Sequence, residues 1–125
     1  MPNLLLVMAG GALGAGARYH LGRVAMAQLG PAFPWGTWLV NLLGGFLAGI
    51  LLGVLLHEGP AMQPVRLFFG VGLLGGFTTF SAFTAETADM LQRGELAMAG
   101  AYAISSVAGS LVLLFLGLWL ARAVA

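Results

Sequence analysis

Four long apolar runs, separated by short clusters of glycine, proline and charge, dominate the chain. A helix needs about 20 mainly apolar residues to cross the hydrocarbon core of a bilayer. Residues 35–56 and 96–121 reach that length without a charged side chain, and Gly59-Pro60 and Arg93-Gly94-Glu95 punctuate them. Residues 67–85 form a nearly equal run, but its second half carries Thr78, Thr79, Ser81 and Thr84, and Glu86 and Asp89 follow. The first run, residues 4–17, is short before Arg18-Tyr19-His20. It spans a membrane only if Arg18 lies near the interface or faces protein or water. No basic leader precedes it, so it is read as a retained span rather than a signal core. Pro31-Ala32-Phe33-Pro34 marks the first connection, and Trp35 and Trp38 beyond it suit the interface. The pattern predicts one all-α membrane domain over residues 1–125, with four transmembrane helices.

Composition removes other classes. With 60% hydrophobic residues, five basic and four acidic, and a mean hydropathy of +0.99, the chain has too few charges for a soluble globule of its size. Scattered arginines and a net charge of +1 make no basic stripe for nucleic acid. The absence of cysteine excludes disulfides, thiolate metal sites and a cysteine nucleophile.

Arginine is also spread evenly. Arg18, Arg23 and Arg93 fall on the face bounded by the first and third loops, Arg66 and Arg122 on the other, so topology is barely biased. Insertion in both orientations is the expected consequence, and it would permit an antiparallel dimer of identical chains. Gly10-xxx-Gly14, Gly45-xxx-Gly49 and Gly49-xxx-Gly53 have the small-residue spacing that lets membrane helices approach closely. Four short helices leave little interior for a pathway, so an oligomer, by symmetry a dimer, is expected.

Polar residues inside the spans are the candidates for chemistry. In residues 75–83, Gly75 and Gly76 weaken a helix by about 1 kcal/mol each and the threonines compete for backbone bonds, so the third helix is expected to break near its middle. A glycine-softened kink is the plain alternative. Asn41 places an amide within the second span, where it must find partners. It could serve as interhelical glue. Tyr102, Ser106 and Ser110 recur every four residues and align three hydroxyls on one face of the fourth helix. Phe80 and Phe83 share a face of the third, where lipid or core contact is their ordinary use.

Three segments in order, Gly-Gly-Ala-Leu-Gly-Ala-Gly-Ala-Arg-Tyr (10–19), Gly-Thr-Trp-Leu-Val-Asn-Leu-Leu-Gly (36–44) and Gly-Gly-Phe-Thr-Thr-Phe-Ser-Ala-Phe (75–83), resemble the signatures of the bacterial fluoride channel family. The resemblance implies an antiparallel, dual-topology homodimer in the bacterial cytoplasmic (inner) membrane, with two fluoride pores along the subunit interface. It implies a structural sodium ion at the dimer centre, held by the backbone carbonyls that match Gly75 and Thr78. The family's pore phenylalanines match Phe80 and Phe83, and its pore asparagine matches Asn41. Its hydroxyl track matches Thr37, Tyr102, Ser106 and Ser110, with Thr79 and Ser81 in the Thr-Thr-Phe-Ser core. Arg18 matches its entrance arginine, although a snorkelling role fits equally. Ala82 and Leu114 stand where the family often has hydroxyls.

Such a protein would pass fluoride downhill, without an energy source. No Walker loop is present, and no acidic residue lies in mid-span for proton coupling. The first helix accordingly lacks the carboxylate of a small multidrug exporter. An intramembrane hydrolase needs a serine beside a base, whereas His20 and His57 are expected at helix ends. A non-conducting membrane subunit would leave the polar third and fourth helices without a purpose.

Overall fold

The structure, a computed structural model, describes residues 2–124 and is helical throughout. Helix α1 (Pro2–Leu29) and α2 (Trp35–Leu55) are followed by a compound third span, Pro60–Gln92. Its first half passes from a 3-10 turn (Pro60–Met62) and one α-helical turn (Gln63–Val65) into a π-helix (Arg66–Leu74) and a last α-helical turn (Gly75–Phe77). Its second half is α3 (Phe80–Gln92), and α4 (Leu96–Val124) completes the chain. All four spans are long and apolar enough to cross a membrane.

Helix α1 is longer than its apolar run predicts. Its 28 residues extend about 40 Å at 1.5 Å per residue. The helix continues through Arg18 because that charge faces protein, its Nε donating to the Gly76 carbonyl at 3.0 Å. His20 is therefore an exposed residue inside α1 and not at a helix end. The helix stops at Gly30, whose φ of +80° is the left-handed conformation glycine adopts freely, and whose N–H bonds the Met26 carbonyl. At the opposite membrane face, Arg66 closes the end of α2. Its guanidinium donates to the carbonyls of Leu55 (3.1 Å), Glu58 (2.7 Å) and Gly59 (3.1 Å), groups that a helix terminus leaves without partners.

Small residues set the packing. A Cβ added to Gly45 would lie 2.8 Å from the Ser110 carbonyl oxygen, and one added to Gly49 would lie 2.8 Å from the carbonyl carbon of Leu114. Helices α2 and α4 thus touch backbone to backbone, in the same direction and in register. Helix α1 meets the third span likewise, with Gly10 and Gly14 against residues 68–77 and Gly72 2.8 Å, by the same measure, from the Val7 carbonyl. The spacings read from the sequence as packing glycines occupy these seams. At the end of the bundle that holds the first and third loops, Met90, Ala99 and Tyr102 form a buried cluster covered by Phe33, Trp38, Phe83 and Met98. Val40, Leu55 and Phe77 are buried as well, but many large apolar side chains turn outward, as on α4 at Ile104, Val107, Leu111 and Phe115. That is the arrangement of a surface solvated by lipid or by another chain.

Candidate functional site

The third span is interrupted at Thr78 and Thr79, which adopt extended backbone (φ −89°, ψ 158° and φ −149°, ψ 122°). Gly75 and Gly76, whose flexibility suggested a break, remain helical. Gly76 is needed for close approach instead, since a Cβ there would sit 3.1 Å from the Ala15 nitrogen, whereas one on Gly75 would meet nothing nearer than 4.0 Å. The break falls where β-branched residues meet a competing partner. Asn41 supplies it, accepting from the Thr79 N–H through Oδ1 (2.8 Å) and donating from Nδ2 to the Thr79 carbonyl (3.0 Å). This pairing mimics a strand neighbour and satisfies the unwound peptide inside the protein. It also fixes the amide's orientation and leaves one Nδ2 N–H uncommitted.

Carbonyls beside the break lose their normal helical partners as a result, those of Gly75 and Thr78 among them. The N–H four residues after Gly75 belongs to Thr79 and is taken by Asn41. The N–H four residues after Thr78 belongs to Ala82 and is taken by the Thr79 hydroxyl (3.1 Å), which N-caps α3.

Beside the break lies an open groove of about 590 Å³. Asn41, Thr79, Phe80 and Phe83 line it, facing Ser106 and Ser110 of α4, and Gly75 and Thr78 border it. Among the described residues no charged side chain contributes to its wall. The Ser106 hydroxyl is buried, with no hydrogen-bond partner among the described residues. Ser110 donates only weakly, at 3.4 Å, to the Asn41 carbonyl. Phe80 is 78% exposed and stands 5.7 Å from Phe83, ring centre to centre. The N-terminal end of α3 adds positive potential at the same place.

The remaining sequence candidates are placed differently. Arg18 and Thr37 line a second hollow between α1 and α2, which also reaches Thr79. Ser81 is exposed and shares a 3.2 Å hydrogen bond with the Thr79 hydroxyl. Tyr102 is fully buried beyond the groove, 5.1 Å from the Phe83 ring, its hydroxyl donating to Glu86 Oε1 at 3.2 Å. The hydroxyls of the α4 row therefore share a face but not one cavity.

Sequence reasoning missed Glu86 as the partner of Tyr102, a pairing between helices that no local spacing encodes. It also missed Ser105, which accepts from Trp38 Nε1 at 3.0 Å. Trp38, read as an interfacial anchor, also packs edge-on to Phe33 in the aromatic cluster. The cue available was Ser105 beside Ser106, a second hydroxyl displaced from the row.

Known proteins share this sequence over its whole length. A fluoride-specific ion channel of Phenylobacterium zucineum is 55% identical over 99% of this chain and 98% of its own. One of Novosphingobium aromaticivorans is 50% identical over the full length of both chains, and one of Mesorhizobium japonicum is 47% identical over 98% of each. The sequence model of the family described as CrcB-like protein, Camphor Resistance (CrcB), matches residues 5–118. A match that covers all four spans, the broken third helix and the Asn41 clasp establishes that the chain belongs to the CrcB family.

Proposed function

We propose that this protein is a passive fluoride channel that lets fluoride leave the cell through the bacterial cytoplasmic membrane. The observation that carries the reading is an uncharged groove at membrane depth that offers uncommitted donors: the buried Ser106 hydroxyl, Ser110 and the spare Asn41 N–H. The relatives' printed names supply the ion. Neutral donors can replace part of the hydration shell of a small halide while still letting it go, which a fixed cation would hinder. The edges of the Phe80 and Phe83 rings carry partial positive charge and extend the donor set. Transport makes and breaks no covalent bond, so the protein is not an enzyme.

Purified protein in liposomes is expected to release fluoride and retain chloride. Phe80→Ile, which keeps apolar bulk but loses the ring edge, should slow fluoride release by about tenfold, the effect of a ~1.4 kcal/mol higher barrier. Equal release of both halides, or of neither, would refute the reading.

The conducting unit in this proposal is an antiparallel homodimer. The groove is open on one side, and a second copy is what would cover Phe80 and close it into a pore. The arginines that can bias topology, Arg18, Arg23 and Arg93 on one face and Arg66 and Arg122 on the other, split almost evenly. The carbonyls of Gly75 and Thr78, deprived of their usual N–H partners, fit a hard monovalent cation that prefers oxygen. Two copies would supply four such oxygens, and sodium held there would tie the subunits together and offset the exposed carbonyl dipoles. Exchange of sodium for a large organic cation in detergent should convert dimer to monomer on size-exclusion chromatography, and C-terminal tags should be found on both sides of the membrane. A dimer indifferent to sodium would remove the ion's structural role.

A further inference from the structure

The second hollow, about 540 Å³ between α1 and α2, has an electrostatic character opposite to the groove's. Arg18 and Arg23 both line it, Thr37 lines it from α2, and among the described residues no acidic side chain contributes. Thr79 belongs to the walls of both hollow and groove, so the unwound backbone is the partition between them.

The two arginines are committed differently. Arg18 is part-buried and donates to the Gly76 carbonyl. Arg23, five residues nearer the end of α1, is exposed and rests on Tyr19, with its guanidinium carbon 6.0 Å from the ring centre and a 3.3 Å bond from Nη1 to the phenol oxygen. The partner is a phenol and not a carboxylate, so this contact orients the guanidinium without cancelling its charge, and most of its five N–H donors stay free. The carboxylates at the same end of the bundle are engaged elsewhere: Asp89 and Glu95 pair with Arg93, and Glu86 accepts from Tyr102. Among the described residues Arg23 has no counter-ion.

We propose that Arg23, braced by Tyr19, is the outer anion-collecting residue of the pathway: it concentrates halide at the mouth of the hollow and passes it inward toward Arg18 and Thr79. It sets the rate of entry and not the choice of ion. This inference rests on the channel reading. A charge acting through solvent is screened by salt, with a Debye length of about 30 Å at 0.01 M and about 3 Å at 1 M. A collecting role therefore predicts an effect that fades as salt rises, whereas a structural role predicts one that does not.

The test is fluoride current through planar bilayers at fixed, subsaturating fluoride, with ionic strength raised by an impermeant sodium salt. Arg23→Gln is expected to lower current about threefold at about 0.01 M ionic strength and to match wild type near 1 M. Arg23→Glu should deepen the low-salt loss to about tenfold, and Arg23→Lys should restore the wild-type salt dependence. Fluoride-to-chloride selectivity should be the same in all of them. Arg23→Gln currents equal to wild type at low salt, or reduced equally at every salt, would overturn the proposal while leaving the channel reading intact. Absence of fluoride current in wild type would instead defeat the channel reading.

Discussion

Asn41→Asp is expected to abolish fluoride flux, with loss of at least about a hundredfold. The change removes one nitrogen and leaves the shape of the side chain almost untouched, so its consequences are electrical. Asn41 Nδ2 donates to the Thr79 carbonyl, while Oδ1 accepts from the Thr79 N–H. An aspartate keeps the second bond and replaces the first with two oxygens facing one another. An acceptor left without its donor at a part-buried site costs about 1–3 kcal/mol. The new charge also stands in a groove whose wall holds no cation to pair with it. A unit negative charge about 5 Å from a passing anion repels it by about 3 kcal/mol at an effective dielectric constant near 20. That repulsion alone gives the hundredfold. Liposome efflux with a fluoride electrode checks the rate, and size-exclusion chromatography checks that the protein is still folded. Wild-type flux through folded Asn41→Asp protein would mean that fluoride does not pass this amide.

The same clasp explains how much of the protein is legible in its sequence. The spans are legible because each depends on local composition: an apolar run between breakers must be a helix in lipid, whatever surrounds it. The glycine spacings are legible for a related reason, since one helix face can be read from intervals of four. The interruption of the third span is only half legible. Its glycines locate it to within a few residues, but the break falls at Thr78 and Thr79 because Asn41, 38 residues earlier, captures the Thr79 peptide. Local propensity cannot report a competitor so far away in sequence. Arg18 is half legible for the same reason. Its charge after a short apolar run has to lie near an interface or face protein or water, and only the bundle shows that it faces the Gly76 carbonyl. The pairing of Tyr102 with Glu86 is a third case, in which the sequence supplies both groups and the bundle alone makes them neighbours.

The second large effect is expected where no polar group is involved. Gly49→Ala should destabilise the protein by about 1–3 kcal/mol or more, the range for forcing a methyl into a filled interior. At this position the new Cβ would meet only the backbone of Leu114, 2.8 Å from its carbonyl carbon and 3.0 Å from its Cα. A side chain could rotate away, but a helix backbone cannot, so α2 and α4 must separate. Gly100→Ala is the matched control. Nothing lies within 4 Å of its Cβ position, and alanine gains about 1 kcal/mol of helix propensity over glycine. Resistance to unfolding in detergent should therefore fall for the first and hold or rise for the second. Function should follow the seam. Because α2 and α4 run in the same direction, Gly49 opposite Leu114 and Gly45 opposite Ser110 are successive turns of one contact, and the next turn brings Asn41 to the Ser110 hydroxyl. A wedge at Gly49 thus widens the distance between the donors of α2 and those of α4, and halide flux should drop even in the fraction that stays folded. Equal stability and equal flux for the two alanine variants would show that this backbone contact does not set the groove's width.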